Sequence, residues 1–332
     1  MNDSFFYLLF LLTFCFSQYG QYGDYNASRF SRSIGLGNAY TGVAEGIETT
    51  FYNSAGLADV EEYIIAYSNG DGRVIDSDLT SHDFGIVLPS RRSKGSFSFT
   101  YNDFRKADPL WRQRLYRLHI GTAVTPTVSL GGSINYYRMD LYGETNGNGW
   151  DFSLSFLYND SGIIRKKIDD RLKIGFQFQN VLGLNVKYNK GFVPQSLFQL
   201  FRVGMSYSLM PIINYTNKIR LMVAGDVSFQ GKGYEFKSIR GNIGIEIELY
   251  RYFYLRCGSE NELQSSDVFP SIGDVYRFGL GVRVPLHEIF NLEYFDIFLD
   301  YSDSHWPEKN VEYLGSIERQ YYTYTIQIRA NL

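Results

Sequence analysis

The residues best suited to acid–base or metal chemistry in this chain are four histidines: His82, His119, His287 and His305. No pair of them has the H-x-x-x-H spacing that places two imidazoles on one metal. No Gly-x-Ser-x-Gly elbow is present to expose a serine nucleophile. The only thiols are Cys15 and Cys257, too few for a thiolate cluster. His119 is a candidate partner for a serine on a neighbouring strand, but its phase turns it to the inner face. Asn69, Asp71, Asp76 and Asp78 form an acidic cluster in which calcium binding is conceivable. The D-x-D-x-D-G spacing of a calcium loop is missing, which leaves a solvated loop as the simpler reading. The chain is therefore not read as an enzyme, and no cofactor or metal is expected.

A second kind of chemistry is far more abundant. Charged residues recur at alternate positions between large apolar ones: Arg117, Arg202, Arg220, Arg240, Glu246, Glu248, Arg277 and Arg283. His119, Lys173, Gln177, Gln179, Asp226, Gln327 and Arg329 share their phase. Charges withdrawn from water need partners, so Glu246 and Glu248 are expected to pair with arginines on neighbouring strands. Two uses of such a set stay open. One is a structural ion-pair network; the other is a polar passage or a carboxylate-recognition site built on arginine forks.

The elements that position these charges are β-strands. Trp150, Phe152, Leu154, Phe156 and Tyr158 alternate with Asp151, Ser153, Ser155 and Leu157. The period of two returns at Leu172, Ile174, Phe176 and Phe178, and again at Tyr322, Tyr324, Ile326 and Ile328. Fourteen such segments are predicted: 62–68, 82–88, 95–104, 114–124, 128–140, 149–158, 171–182, 198–208, 218–230, 238–249, 252–260, 275–284, 292–301 and 319–330. Most have the length of a tilted membrane strand. No helical pattern supplies a cover for their apolar faces, so those faces are expected to meet lipid. A soluble two-sheet sandwich also has alternating strands, but it offers no reason for the loop pattern described next.

Connections after odd-numbered strands include Asn69–Ser81, Gly183–Leu197, Asn261–Asp274 and Ser302–Glu318, all long. Connections after even-numbered strands include Thr125–Thr127, Tyr250–Arg251 and Pro285–Asn291, mostly short, with Asn159–Asp170 as an exception. Long loops on one side and short turns on the other are the asymmetry of an outer-membrane barrel, and an even strand count puts both termini on the short-turn side. Aromatic pairs near strand ends (Tyr136-Tyr137, Tyr250 and Tyr252, Phe295 and Phe298, Tyr321-Tyr322) suit a membrane interface.

Bulk composition agrees with this architecture. Of 332 residues 17% are aromatic, mostly Tyr (28) and Phe (26), which favour strands. Hydrophobic content is 44%, because a membrane barrel averages its two alternating faces. A net charge of −3 gives no case for a nucleic-acid partner. At the N-terminus, Phe5 to Phe16 is apolar except for Thr13. That stretch is too short to span a bilayer as a helix and has the length of a signal-peptide core. Cys15 and Ser17 supply small residues for cleavage after Ser17. The n-region, with Asn2 and Asp3, lacks the usual basic residue. The expected organisation is a signal peptide at 1–17, an N-terminal extension at 18–60 that lacks strand alternation, and a 14-stranded antiparallel transmembrane β-barrel at 61–332.

Residues 27–60 are rich in Gly, Ala, Ser and Thr, and their order carries a resemblance. The run Ser31-Arg-Ser-Ile-Gly-Leu-Gly-Asn-Ala-Tyr-Thr-Gly-Val-Ala-Glu, closing with Tyr52-Asn-Ser-Ala-Gly-Leu-Ala58, resembles the N-terminal segment of the PorV/PorQ family, a branch of FadL-like outer-membrane proteins. Gly35, Gly37, Ala39, Val43, Ala44, Tyr52, Asn53, Ala55, Gly56 and Leu57 match by position, and Asn38 lies between matched residues. Ser54 stands where the family has Pro, Glu45-Gly46-Ile47 where Asp-Asp-Ala is common, and the chain ends at Asn331-Leu332 rather than on Phe. The resemblance extends over the chain as fourteen strands after the motif. It implies that 18–60 forms a plug inside the barrel, with Gly35, Gly37, Asn38, Ala39, Asn53, Ala55 and Gly56 shaping it. It also implies a place in the bacterial outer membrane, in contact with outer-membrane lipid. Two roles follow from the family: passage of small hydrophobic or amphipathic ligands across that membrane, or a type IX secretion component that docks cargo or partner proteins without transporting small molecules.

Overall fold

The computed structural model describes residues 30–330, apart from 75–76, 91–93, 107–110, 142–144, 163–167, 184, 190–194, 197–198, 212–218, 233–234, 265–274, 287–294, 307–309, 312–314 and 317–318. The proposed signal peptide, Asp76 and His287 lie outside the described residues. Fourteen long strands form the wall: β1 Tyr63–Val74, β2 Ser77–Ser90, β3 Gly95–Lys106, β4 Trp111–Ala123, β5 Val128–Leu141, β6 Thr145–Ser161, β7 Ile168–Gln179, β8 Gln199–Pro211, β9 Ile219–Lys232, β10 Glu235–Leu249, β11 Phe253–Gln264, β12 Val275–Pro285, β13 Phe295–Trp306 and β14 Arg319–Ala330. Each pairs antiparallel with its sequence neighbours, and β1 pairs with β14 from Tyr63↔Ala330 to Arg73↔Gln320. The ladder closes on itself, so each of the fourteen wall strands has a paired neighbour on both sides. Short ladders at 185–188 with 195–196, and at 310–311 with 315–316, decorate the long connections.

All fourteen expected strands are present. The first two are longer than expected. β1 continues to Val74 and β2 begins at Ser77, so the supposed long loop Asn69–Ser81 is a hairpin. Asn69, Gly70, Asp71 and Gly72 carry turn signals, but their backbones are paired on both sides, Gly70 with Ser81 and with Thr323. Ladder pairing overrides local propensity there. The loop asymmetry therefore rests on three connections, 180–198, 265–274 and 307–318. In the short turn after β10, Tyr250 and Arg251 both adopt left-handed φ (55° and 64°).

The alternation resolves into an inside and an outside. On β6, Trp150 and Leu154 are 53% and 60% exposed, while Asp151 between them is 1% exposed. Phe278, Leu280, Tyr324 and Ile326 likewise face outward. No described helix is long and apolar enough to cross a membrane. The exposed belt of aliphatic and aromatic side chains is the surface of a barrel that crosses with strands. Three aromatics expected at the membrane interface, Tyr137, Phe298 and Tyr321, point inward instead. Adjacent strand residues cannot share a face, so only one of each neighbouring pair can reach lipid.

Residues 30–57 lie within the wall. Helix α1 (Ser31–Gly35), helix α2 (Thr49–Tyr52) and a 3₁₀ turn at Ser54–Asp59 are joined by turns and lead into β1. A Cβ placed on Gly121 of β4 would lie 2.3 Å from Ser54 O, and one on Gly258 of β11 would lie 2.4 Å from Gly37 N. Contact with well-separated strands shows that the wall surrounds the segment. Its apolar side chains (Phe30, Leu36, Tyr40, Val43, Ile47, Phe51, Tyr52 and Leu57) gather into one core with Ile64, Ala66, Val87, Met222 and Ala224 of the wall.

Candidate functional site

The boundary between this inner segment and the wall carries the charges. Arg32 of α1 donates Nε and Nη2 to the two oxygens of Glu246 on β10, at 2.9 and 2.8 Å. Its Nη2 also reaches Glu45 at 2.9 Å. Glu45 in turn takes Arg220 of β9 at 3.0 Å and Lys173 of β7 at 3.5 Å. Glu246 is shared with Arg256 of β11 at 2.6 Å, and Arg256 passes on to Asp300 of β13 at 2.5 Å. Glu248 meets Arg220 at 3.5 Å. Strand phase explains the set: Arg220↔Glu248 and Glu246↔Arg256 are cross-strand partners on one face. The expected pairing of Glu246 and Glu248 with neighbouring arginines is what the geometry shows.

The two acids of the inner segment differ in environment. Burial opposes the charge of Glu45, but Arg220, Lys173 and Arg32 hold its carboxyl well below the usual carboxylate range. Glu48 is fully buried; Gln327 Nε2 donates to its Oε1 at 2.9 Å, and its Oε2 has no hydrogen-bond partner among the described residues. Burial raises its carboxyl above the usual range, and the attraction of Arg32 offsets this only in part.

The motif residues lie along the same boundary. Gly37 has φ +65°, and a Cβ there would strike Ser259 N at 2.6 Å, so both conformation and space call for glycine. Gly35 packs against Gly279, and Gly56 against Ala44 O. Asn38 accepts from Tyr52 Oη at 2.7 Å and donates to Glu260 at 2.8 Å. Ala39 is buried beside it. Asn53 Oδ1 caps the 3₁₀ turn by accepting from Ala55 N at 3.1 Å, while its Nδ2 bridges Thr41 O and Phe156 O, both at 3.0 Å. Ala55 N is also bound by Ser155 Oγ at 3.0 Å.

Arg202 lies over the Tyr52 ring at 5.0 Å and donates to Phe51 O at 3.3 Å, a carbonyl also held by Gln177 and Gln179. Arg117 stacks on Phe51 at 4.6 Å. Arg240 and Arg277 converge on Glu260, the acid that Asn38 binds. Arg283 pairs with Asp296 across the wall. His119 is buried inside, between Ser54 Oγ at 3.1 Å and Thr100 Oγ1 at 3.2 Å. Of the acidic cluster, Asn69 and Asp71 lie on β1, where Asn69 Nδ2 donates to Asp71 at 3.0 Å, and Asp78 lies on the adjoining β2; Asp71 and Asp78 are exposed.

Sequence reasoning missed Arg32, Glu45 and Glu48, which lie where no periodicity assigns a face. It also missed Arg256, which the outward phase of Phe253 and Leu255 would have turned inward. Near the short-turn end these residues border a cavity of about 380 Å³, lined by Arg32, Glu45, Arg220, Arg256 and Arg329, with Phe298 as an apolar wall.

The fold and this boundary define a closed fourteen-stranded membrane barrel whose lumen holds its own N-terminal segment. No protein-family model matches the chain, and no curated protein matches it in sequence. Solved structures do. The Pseudomonas putida toluene transporter TodX superposes with a TM-score of 0.50 at 10% identity, covering 90% of this chain and 97% of that one. The CymD monoaromatic hydrocarbon channel gives 0.50 at 9% identity, over 90% and 98%. A TodX mutant lacking S2 and S3 gives 0.51 at 11%, over 86% and 95%. At such identities the likeness is one of fold.

Proposed function

We propose that this chain is a bacterial outer-membrane channel for small hydrophobic or amphipathic molecules, and that residues 30–60 are its plug. The observation that carries this reading is a closed barrel, of the fold seen in TodX and CymD, holding a segment fastened to its wall by hydrogen bonds and ion pairs. The hydrogen bonds among these contacts can be replaced by hydration when the segment moves, while the buried Glu246 keeps a partner on the wall in Arg256. A plug held this way can shift without stripping the wall of its structure. The cavity beside Arg32 and Arg220 offers an amphipathic molecule a polar resting place, with Phe298 against its apolar part. The conformations of Gly37, Asn53 and Gly56 support placing the chain in the PorV/PorQ branch of FadL-like proteins, since each matched residue performs a packing or capping task that its type suits.

A cross-link tests the reading. Ser31 Oγ and Thr325 Oγ1 are 2.9 Å apart, within reach of a disulfide after small adjustment. In a Cys257→Ser background, Ser31→Cys with Thr325→Cys fixes the segment to β14. Uptake of toluene and of decanoate by cells carrying the oxidised variant should fall, and reductant should restore it. Equal uptake in both states sinks the moving plug. A barrel that passes neither compound in any state favours the docking role, with cargo or secretion proteins as partners.

A further inference from the structure

The outer face of β3, β4 and β5 changes character sharply along its height. Near mid-height it is apolar, with Phe97, Phe99, Leu118, Ile120 and Ile134 exposed. Above this lies a row of rings in register: Tyr101, Tyr116, Tyr136 and Trp150, with centroids 5.0, 6.1 and 4.8 Å apart in turn. The next two rows toward the long-connection side are charged. Asp103, Arg114 and Arg138 are paired in one row, and Arg105, Arg112 and Asp140 in the other. Arg105 and Arg112 clasp Asp103 at 2.9 and 2.6 Å; Arg114 and Arg138 share Asp140. Four guanidinium groups thus face outward against two carboxylates. Arg105 and Arg138 stay nearly half exposed, and Arg114 Nε has no hydrogen-bond partner among the described residues.

Among the described side chains of β1, β2 and β13 the same height is not basic: Asn69, Asp71 and His82 occupy it on β1 and β2, and Asp303 on β13. The positive patch on β3, β4 and β5 is distinct from these strands. A ring row marks the interface between hydrocarbon and headgroups, so charges one or two rungs above it stand at headgroup height. An excess of guanidinium groups there matches phosphate, which they bind through paired N–H donors.

We propose that Arg105, Arg112, Arg114 and Arg138 form a site on the outside of the barrel for a lipid bearing a phosphate monoester headgroup, with its acyl chains lying over Phe97, Phe99, Leu118 and Ile120. The site rests on the chain being a membrane barrel but not on what passes through its lumen. Asp103 and Asp140 hold the arginines in a fixed array, which favours one bound headgroup over a diffuse ion cloud.

The test is native mass spectrometry of the full chain in a non-ionic detergent, offered phosphatidic acid and phosphatidylcholine in equal amounts. Phosphatidic acid should be retained preferentially. Arg114→Gln with Arg138→Gln should lower that retention about thirtyfold, at roughly a factor of five for each headgroup-level arginine. Arg251→Gln, in the exposed turn at the opposite end of the wall, should leave it unchanged. Unchanged retention in the double variant overturns the site. Complete displacement by equimolar inorganic phosphate overturns the lipid as its occupant. If the double variant does not fold, Arg138→Gln alone, at the more exposed of the two, should lower retention about fivefold, and equal retention again rejects the proposal. Heat-modifiable migration of every variant is read separately, so loss of the barrel is not mistaken for loss of the site.

Discussion

Glu45 and Glu48 stand three residues apart in the inner segment and answer pH in opposite senses. The folded-state pKa of Glu45 is depressed, so its stabilisation is full above the ordinary carboxylate range and is lost as pH falls through the folded value. Glu48 is raised, so the folded state binds its proton more tightly. Its penalty grows as pH rises from the ordinary carboxylate value through the raised one. Glu45→Gln should leave Arg32, Arg220 and Lys173 short of a counter-charge. A lone buried partner costs about 3 kcal/mol, and somewhat less here because Glu45 is one-fifth exposed. Thermal melting in detergent near pH 8 should show the loss, and the gap from the parent should narrow in acid. Glu48→Gln should do the reverse, raising the melting temperature near pH 8 by removing a poorly partnered charge and leaving little change below about pH 4. An equal shift at both pH values would reject this assignment. Neither acid was legible in the sequence as a contact, because neither lies on a strand. Arg220, Glu246 and Glu248 were legible, since a period of two assigns every strand residue a face.

At the scale of elements, the sequence shows the fourteen strands through their alternation, and shows their ends poorly. β1 and β2 run on through Asn, Gly and Asp residues that locally favour turns, held by ladder partners that lie far away in the chain. The inner segment is the converse case. Its short helices have no amphipathic period to read, because the wall covers them on all sides. What the sequence shows there is its small residues, and the structure supplies the reason for them. Gly258 of β11 admits the backbone of Gly37, and a side chain there would collide with it. Gly258→Val should therefore unseat residues 35–39 while leaving the ladder intact. Limited proteolysis should cut the variant within 30–60, and heat-modifiable migration should persist. Protection equal to that of the parent would contradict the close approach.

The whole molecule is two parts with different bonding. The wall is a closed hydrogen-bonded cycle whose ladder is complete without the segment; the segment joins it through a shared apolar core and through side-chain hydrogen bonds and ion pairs. Deletion of residues 30–58 should accordingly yield a folded barrel with a far larger single-channel conductance in a planar bilayer than the parent. A deletion variant that fails to insert would show that wall and segment fold as one. The reason to measure this lies in the bond between Ser31 and Thr325, residues 294 positions apart. The first described residues touch the last strand, and that strand is the one that closes on β1. The segment leaves the ribosome before any of the staves it will contact, and the seam cannot close until the twelve residues of β14 arrive. Long-range pairing of this kind is slow. When β14 at last pairs with β1, the ring shuts around the segment, which can then leave only along the barrel axis.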